Sequence, residues 1–200
     1  MNQLRHPHRR RAFTLIELLV VIAIITVLAG LAFPVFQSVQ NSAKKTQAKN
    51  DLVQVVTAVN AYYTEYGKYP LPASATSDEY IYGAANTSKV LFDALRGFDA
   101  TMNPRQIEFI KPPDAKDTTK PRSGMAPAAN GQFYDPWGKP YLVKIDADYN
   151  NEVPNPYSAN AGATPNLRAG VIAWSLGKDT NGGSDNKNAG NAKDDVISWQ

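Results

Sequence analysis

The residues best placed to do chemistry in this chain are acids near its end. Ser175-Leu176-Gly177-Lys178-Asp179 opens a glycine- and asparagine-rich loop, which closes on Asp194-Asp195 just before Val196-Ile197-Ser198-Trp199. Adjacent carboxylates repel unless a positive charge lies between them. A calcium ion, which takes about 6–8 oxygens at 2.3–2.6 Å, suits so flexible a loop, whereas magnesium demands stricter octahedral geometry. The spacing is not that of an EF-hand, because Gly183 stands where a third oxygen-bearing side chain is required. A solvated polar turn holding no metal is the alternative. Phosphate binding has no support, since Gly182-Gly183 has no following Lys-Ser/Thr and no helix after it.

The rest of the composition removes whole classes of reaction. Cysteine is absent, and the two histidines are His6 and His8. Thiolate nucleophiles, disulfides and sulfur-ligated metals are excluded, and imidazole chemistry is confined to the first few residues. The chain is therefore expected not to be an enzyme. Its net charge of +3 could suggest nucleic acid as a partner. However, residues 1–12 hold Arg5, Arg9, Arg10 and Arg11 and no acid, so without them the 21 basic residues fall to 17 against 18 acidic. The basic character belongs to a leader, and no nucleic-acid face is expected in the body.

A further acid stands alone. Glu17 interrupts an apolar stretch over 15–36 that follows Arg9-Arg10-Arg11. About 20 apolar residues at ~1.5 Å rise span a ~30 Å hydrocarbon core, so the stretch can cross a membrane. A cleaved secretory signal would have a shorter apolar core ending in small residues, and Phe33-Pro34-Val35-Phe36 is a poor end for one. Arginines before the stretch, with no such cluster after it, place the N-terminus in the cytoplasm and the remainder outside. Gly30 and Pro34 predict a kink or a locally melted turn.

Beyond Phe36 the pattern turns amphipathic, with Val39, Ala43, Ala48, Leu52, Val55, Val56, Val59 and Tyr63 at broadly helical spacing. One helix over 13–66 is expected, its 13–36 half in lipid and its 37–66 half on a globular domain over 67–200. Gly67 is placed to cap it, with Pro70 and Pro72 preventing continuation. A short helix follows over 88–95, then a surface loop or partly disordered stretch over 111–131. Asp135-Pro136-Trp137-Gly138-Lys139-Pro140-Tyr141 forms a tight turn leading into the first strand of a small antiparallel sheet, over 141–145. A second strand covers 170–175, and 150–167 reads as an extended loop.

The stretch Ala12-Phe13-Thr14-Leu15-Ile16-Glu17-Leu18-Leu19-Val20-Val21 resembles the processing site of type IV prepilins and type II secretion pseudopilins. The Asp-Pro-Trp-Gly-x-Pro-Tyr turn and the Ser-Leu-Gly-x-Asp…Asp-Val-Ile-x-Trp terminus are similar to those of major pseudopilins. The resemblance implies an α+β, pilin-like fold, with a long N-terminal helix packed on a small antiparallel sheet. It implies cleavage between Ala12 and Phe13 by a prepilin peptidase, methylation of the new amine, and pairing of Glu17 with the N-terminus of a neighbouring subunit.

In the acidic loop the resemblance implies calcium ligation by the Leu176 carbonyl and the carboxylates of Asp179 and Asp195. Asp194 and Asp185 are further candidates. The chain departs from the family at Ala12 and Thr180, both usually glycine, and in a stretch over 184–193 that reads as inserted. The implied role is a structural subunit of a pseudopilus that drives type II protein secretion. It would sit in the bacterial inner membrane, its C-terminal domain periplasmic, before entering a homo-oligomeric filament. Minor pseudopilins and an inner-membrane assembly platform would be its partners. A minor pilin or adhesin of a type IV pilus or competence system is the alternative, and a membrane-anchored hydrolase is a more distant one.

Overall fold

The computed structural model describes residues 13–78, 80–84, 86–127, 129–162, 164–179 and 190–199, the side chains of Ala32, Pro34, Val35 and Asn191 excepted. The leader over 1–12 with Ala12, and Thr180 and Asp185 of the acidic loop, lie outside these residues. The chain divides after Ala43 into two compact parts, described here one at a time.

The elements in chain order are α1 (Leu15–Tyr66), β1 (Ile81–Tyr82), α2 (Lys89–Leu95), β2 (Gly124–Met125) and β3 (Phe133–Tyr134). They continue with β4 (Leu142–Ile145), β5 (Val153–Pro154), β6 (Asn166–Leu167) and β7 (Val171–Ser175). A 3-10 helix, Gly190–Asp194, and β8 (Val196–Ile197) complete the series. The fold class is α+β, as expected.

In the first part, the start of α1 exposes its large apolar side chains, from 46% for Val21 to 87% for Leu15. Among the described residues nothing buries them. Residues 15–36 rise about 33 Å, enough to cross a hydrocarbon core of ~30 Å. This helix is long and apolar enough to span a membrane. It runs unbroken through Gly30 and Pro34, so the melted turn expected there is not formed. A proline removes one donor, and the helical residues on either side keep the rest of the ladder intact.

In the second part, α1 buries Ala48, Leu52, Val55, Ala58, Val59 and Tyr62 at three- and four-residue intervals, a single helical stripe. The stripe passes through Tyr62, fully buried, and leaves Tyr63 39% exposed and stacked on Tyr69, which reverses the expected choice between the two tyrosines. Val39, which lies in the first part and is also expected on the apolar face, is 61% exposed. Gly67 ends the helix at φ +65°, its N–H donating to the Tyr63 carbonyl at 2.8 Å. A residue with a Cβ is strained there, which explains glycine at this position.

The main sheet is antiparallel, in the order β1-β4-β7-β8. Its register pairs Val143 with Ala173, Leu142 with Trp174, and Trp174 with Ile197. Side chains alternate across a strand, so the sheet has two faces to cover. Tyr82, Val143, Ile145, Val171 and Ala173 pack on α1 and α2. Leu142, Ile172, Trp174 and Ile197 form a second core with Val153, Tyr157, Ala161 and Ala192. Both faces are therefore covered, and every residue of β4 and β7 is buried.

The structure corrects the sequence reading at three places. The stretch over 150–167 is not a plain loop, because β5 pairs with β6 and the turn between them carries Tyr157 and Ala161 into the core. The stretch over 111–131 contains β2, which pairs with β3 and buries Met125 and Ala126. The strand after the tryptophan turn is not the first in the sheet, since β1 precedes it and pairs with it. Trp137 itself is half-buried, packed against the first core. Because Val153 is fully buried under the sheet, Val153→Ala should cost about 2 kcal/mol, from two lost methyls and the space they leave. Denaturant unfolding of the full-length protein in detergent measures this. A loss below about 0.5 kcal/mol, typical of surface positions, would return the segment to loop status.

Candidate assembly site and acidic loop

At the start of α1, Thr14 and Glu17 form a reciprocal cap. The Glu17 carboxylate accepts from the Thr14 N–H at 2.9 Å and the Thr14 hydroxyl at 2.7 Å. The Glu17 N–H donates back to Thr14 Oγ1 at 3.3 Å. This is the capping box that Thr-x-x-Glu permits, and it satisfies donors that a helix start otherwise leaves open. Sequence reading singled out Glu17 as the lone acid of the stretch but missed Thr14, although the Thr-x-x-Glu spacing was there to be seen. Phe13 precedes the box and is 78% exposed. The carboxylate is thus held at the tip of the apolar helix, one residue from the Phe13 amide nitrogen.

The acidic loop is positioned from the tryptophan turn. Asp135 is fully buried, and its carboxylate accepts from the N–H groups of Trp137, Gly138 and Lys139 at 2.7–2.9 Å. Its other oxygen accepts from the Ser175 hydroxyl at 2.6 Å. Burial pushes this carboxyl above the usual range, and the four donated bonds oppose that rise. Ser175 Oγ in turn accepts from the Gly177 N–H at 3.1 Å. Gly177 lies at φ +67°, and a Cβ there would run into the backbone and carboxylate of Asp194. The opening of the loop is thereby pressed against its close.

Asp179, Asp194 and Asp195 come together, with carboxylate oxygens within 4.8 Å of one another. The Asp179 N–H donates to Asp194 Oδ2 at 2.9 Å. Asp195 is buried and accepts a hydrogen bond from the hydroxyl of Tyr157, which is also buried. Burial is the larger cause, and this bond the next, of a phenol pKa pushed well up. Leu176 is half-buried against the second core. The donors are all oxygen and convergent, which suits a hard divalent cation such as calcium and not a thiophilic metal.

A second group, Asp78, Asp146 and Asp148, also brings its carboxylates within 4.8 Å, and sequence reading missed it. Asp78 accepts from the Ala147 N–H at 2.6 Å, and Asp146 accepts from the Asn150 and Asn151 N–H groups. These acids close the turn after β4. The Asp-x-Asp-x-Asn run from Asp146 to Asn150 carried the signal for part of the group, but nothing near Asp78 did.

Residues 7–33 match the family described as the prokaryotic N-terminal methylation motif. The N-terminal segment is pilin-like. It is similar to the type IV major pilin protein PilA of Myxococcus xanthus, 41% identical over 69 residues, which cover 34% of this chain and 31% of that protein. It is also similar to the type II secretion system core protein G of Pectobacterium carotovorum, 36% identical over 63 residues, covering 32% and 40%. The type IV major alpha-pilin of Moraxella bovis is 42% identical over 74 residues, covering 36% and 46%. The chain thus spans less than half the length of these relatives. No solved structure matches. The tryptophan turn and the acidic loop lie well beyond the residues of the pilin-like motif.

The hydroxyl of Ser175 serves both Asp135 and Gly177, so Ser175→Ala should cost about 1–3 kcal/mol by leaving buried partners unpaired. Denaturant unfolding of the full-length chain reads the loss. An unchanged midpoint would show that Asp135 does not hold the loop through this residue.

Proposed function

We propose that this chain is a structural subunit of a pseudopilus serving type II protein secretion. The observation that carries the reading is the start of α1: a long apolar surface left exposed among the described residues, with one acid held at its tip by Thr14. Exposed apolar area on that scale needs lipid or other copies of itself. Before assembly it lies in the bacterial inner membrane, with the N-terminus cytoplasmic and the C-terminal domain periplasmic. A prepilin peptidase cuts between Ala12 and Phe13, and the freed amine is methylated. The Glu17 carboxylate then offsets the amine charge of an adjoining copy, and burial of the apolar helices drives association.

The inner-membrane assembly platform and minor pseudopilins are the partners of this step, and the product is a filament with no catalytic activity. The acidic loop is stabilised by calcium, held by the carboxylates of Asp179, Asp194 and Asp195 and the Leu176 carbonyl, with Asp185 within the same loop. The cation supplies the positive charge that lets three acids lie together; the chain supplies the oxygens and the pressed loop that presents them.

A type IV pilus subunit is the second reading, favoured by the similarity to major pilins at equal or higher identity. The tryptophan turn and the acidic loop support the pseudopilus reading over it. Deleting the gene separates them, by loss of protein secretion in one case and of surface fibres in the other.

Mass spectrometry of the protein from its host tests the class directly, with an N-methylated Phe13 as the expected terminus. A chain still beginning at Met1, or trimmed past Phe36, would overturn it. Glu17→Val should leave cleavage intact and abolish or misregister the filament. Normal filaments from that variant would remove the pairing role.

A further inference from the structure

The stretch between β5 and β6 has no part in the function proposed above, yet hydrogen bonds tie it to the acidic loop and to Trp199 beyond β8. The Tyr157 hydroxyl donates to Asp195 Oδ2, and both residues are 3% exposed. The Trp199 indole N–H donates to the Ala161 carbonyl at 3.1 Å, and the Tyr157 and Trp199 rings lie 6.1 Å apart. Asn155 fixes this turn from within, its amide donating to the Ala161 carbonyl at 2.6 Å and the Thr164 carbonyl at 3.0 Å.

We infer that Tyr157 is a positioning residue for the cation site of the acidic loop, and that the β5–β6 hairpin is the inner wall of that site. The inference rests on the calcium reading above. A buried carboxylate that is to ligate a cation must be held in one orientation without being neutralised. A phenol does this, because it donates one hydrogen bond to Oδ2 and brings no positive charge. Partners of this kind fix a ligand's orientation, and their loss typically weakens metal affinity by about 10–100-fold. The bond also ties two parts of the chain far apart in sequence, so ordering one should order the other.

The test is a calcium titration of the full-length protein in detergent micelles, followed by tryptophan fluorescence, against chelator-treated protein. Wild type should saturate, and Tyr157→Phe should raise the calcium Kd about tenfold or more. Val153→Ala, which loosens the same hairpin without touching Asp195, should leave the Kd within about threefold. A purely structural role for Tyr157 predicts the same shift in both variants, and that result would overturn the inference.

An unchanged Kd in Tyr157→Phe, beside a saturable wild type, would overturn it while leaving the calcium reading in place. A wild type that does not respond to calcium sinks both. Should Tyr157→Phe not fold, amide hydrogen exchange on the wild type decides. Calcium should slow exchange over 153–167 as well as over 176–196. Protection confined to 176–196 would refute the coupling.

Discussion

A buried carboxylate that accepts four hydrogen bonds sets the layout of the globular part. Asp135 gathers three consecutive N–H groups of the tryptophan turn and the Ser175 hydroxyl at the end of β7. Without that acceptor the turn would bury unpaired donors, at about 1–3 kcal/mol each. With it, β4 leaves the turn already aligned beside β7, and the acidic loop starts from a fixed point. The same device recurs. Asp51 on α1 accepts from the Tyr141 hydroxyl at 2.7 Å, tying the helix to the residue that precedes β4, and Asp195 accepts from Tyr157. In each case a hydroxyl donates to the buried acid. Such a bond fixes geometry and brings no positive charge of its own, unlike one from a lysine or arginine.

Where the sequence was legible, a local signal made it so. The buried stripe of α1 and the helix α2 carry a 3.6-residue repeat, Gly67 marks a stop by its residue type, and the two longest strands are short, largely apolar runs. The six two-residue strands carry no such signal, since two residues cannot display a period. β1 and β8 form on the longer β4 and β7, whereas β2 pairs with β3 and β5 with β6, and each pairing is settled by tertiary contacts. The hairpin around Tyr157 was hidden for another reason. Its composition is that of a loop, rich in Asn, Pro and Ala, and its buried apolar side chains are Val153, Tyr157 and Ala161. Adjacent Tyr62 and Tyr63 pose a similar problem, because either fits the stripe until the partner surface is known.

The candidate site divides in the same way. Glu17 is conspicuous because charge in an apolar run is rare, yet its partner Thr14 is an ordinary residue, identified by spacing. Asp179 lies fifteen residues before Asp194, and no local pattern joins them. The motif of the terminal loop suggested the pairing, and the pressure of Gly177 against Asp194 supplies the physical reason for it.

The two-faced burial of the main sheet bears on what the acidic loop can do. A sheet covered by helices on one face alone would leave Trp174 and Ile197 to solvent, and β8 would be a two-residue edge with little to hold it. The β5–β6 hairpin covers that face, and Ala192, Trp174 and Ile197 share one core with it. The 3-10 helix that presents Asp194 is therefore anchored from beneath, while Asp179 remains exposed. One side of the acid cluster is buried and the other is exposed. The calcium proposed for this loop would approach from the exposed side and be held from the buried one. The buried side rests on a hairpin that lies outside the pilin-like segment altogether.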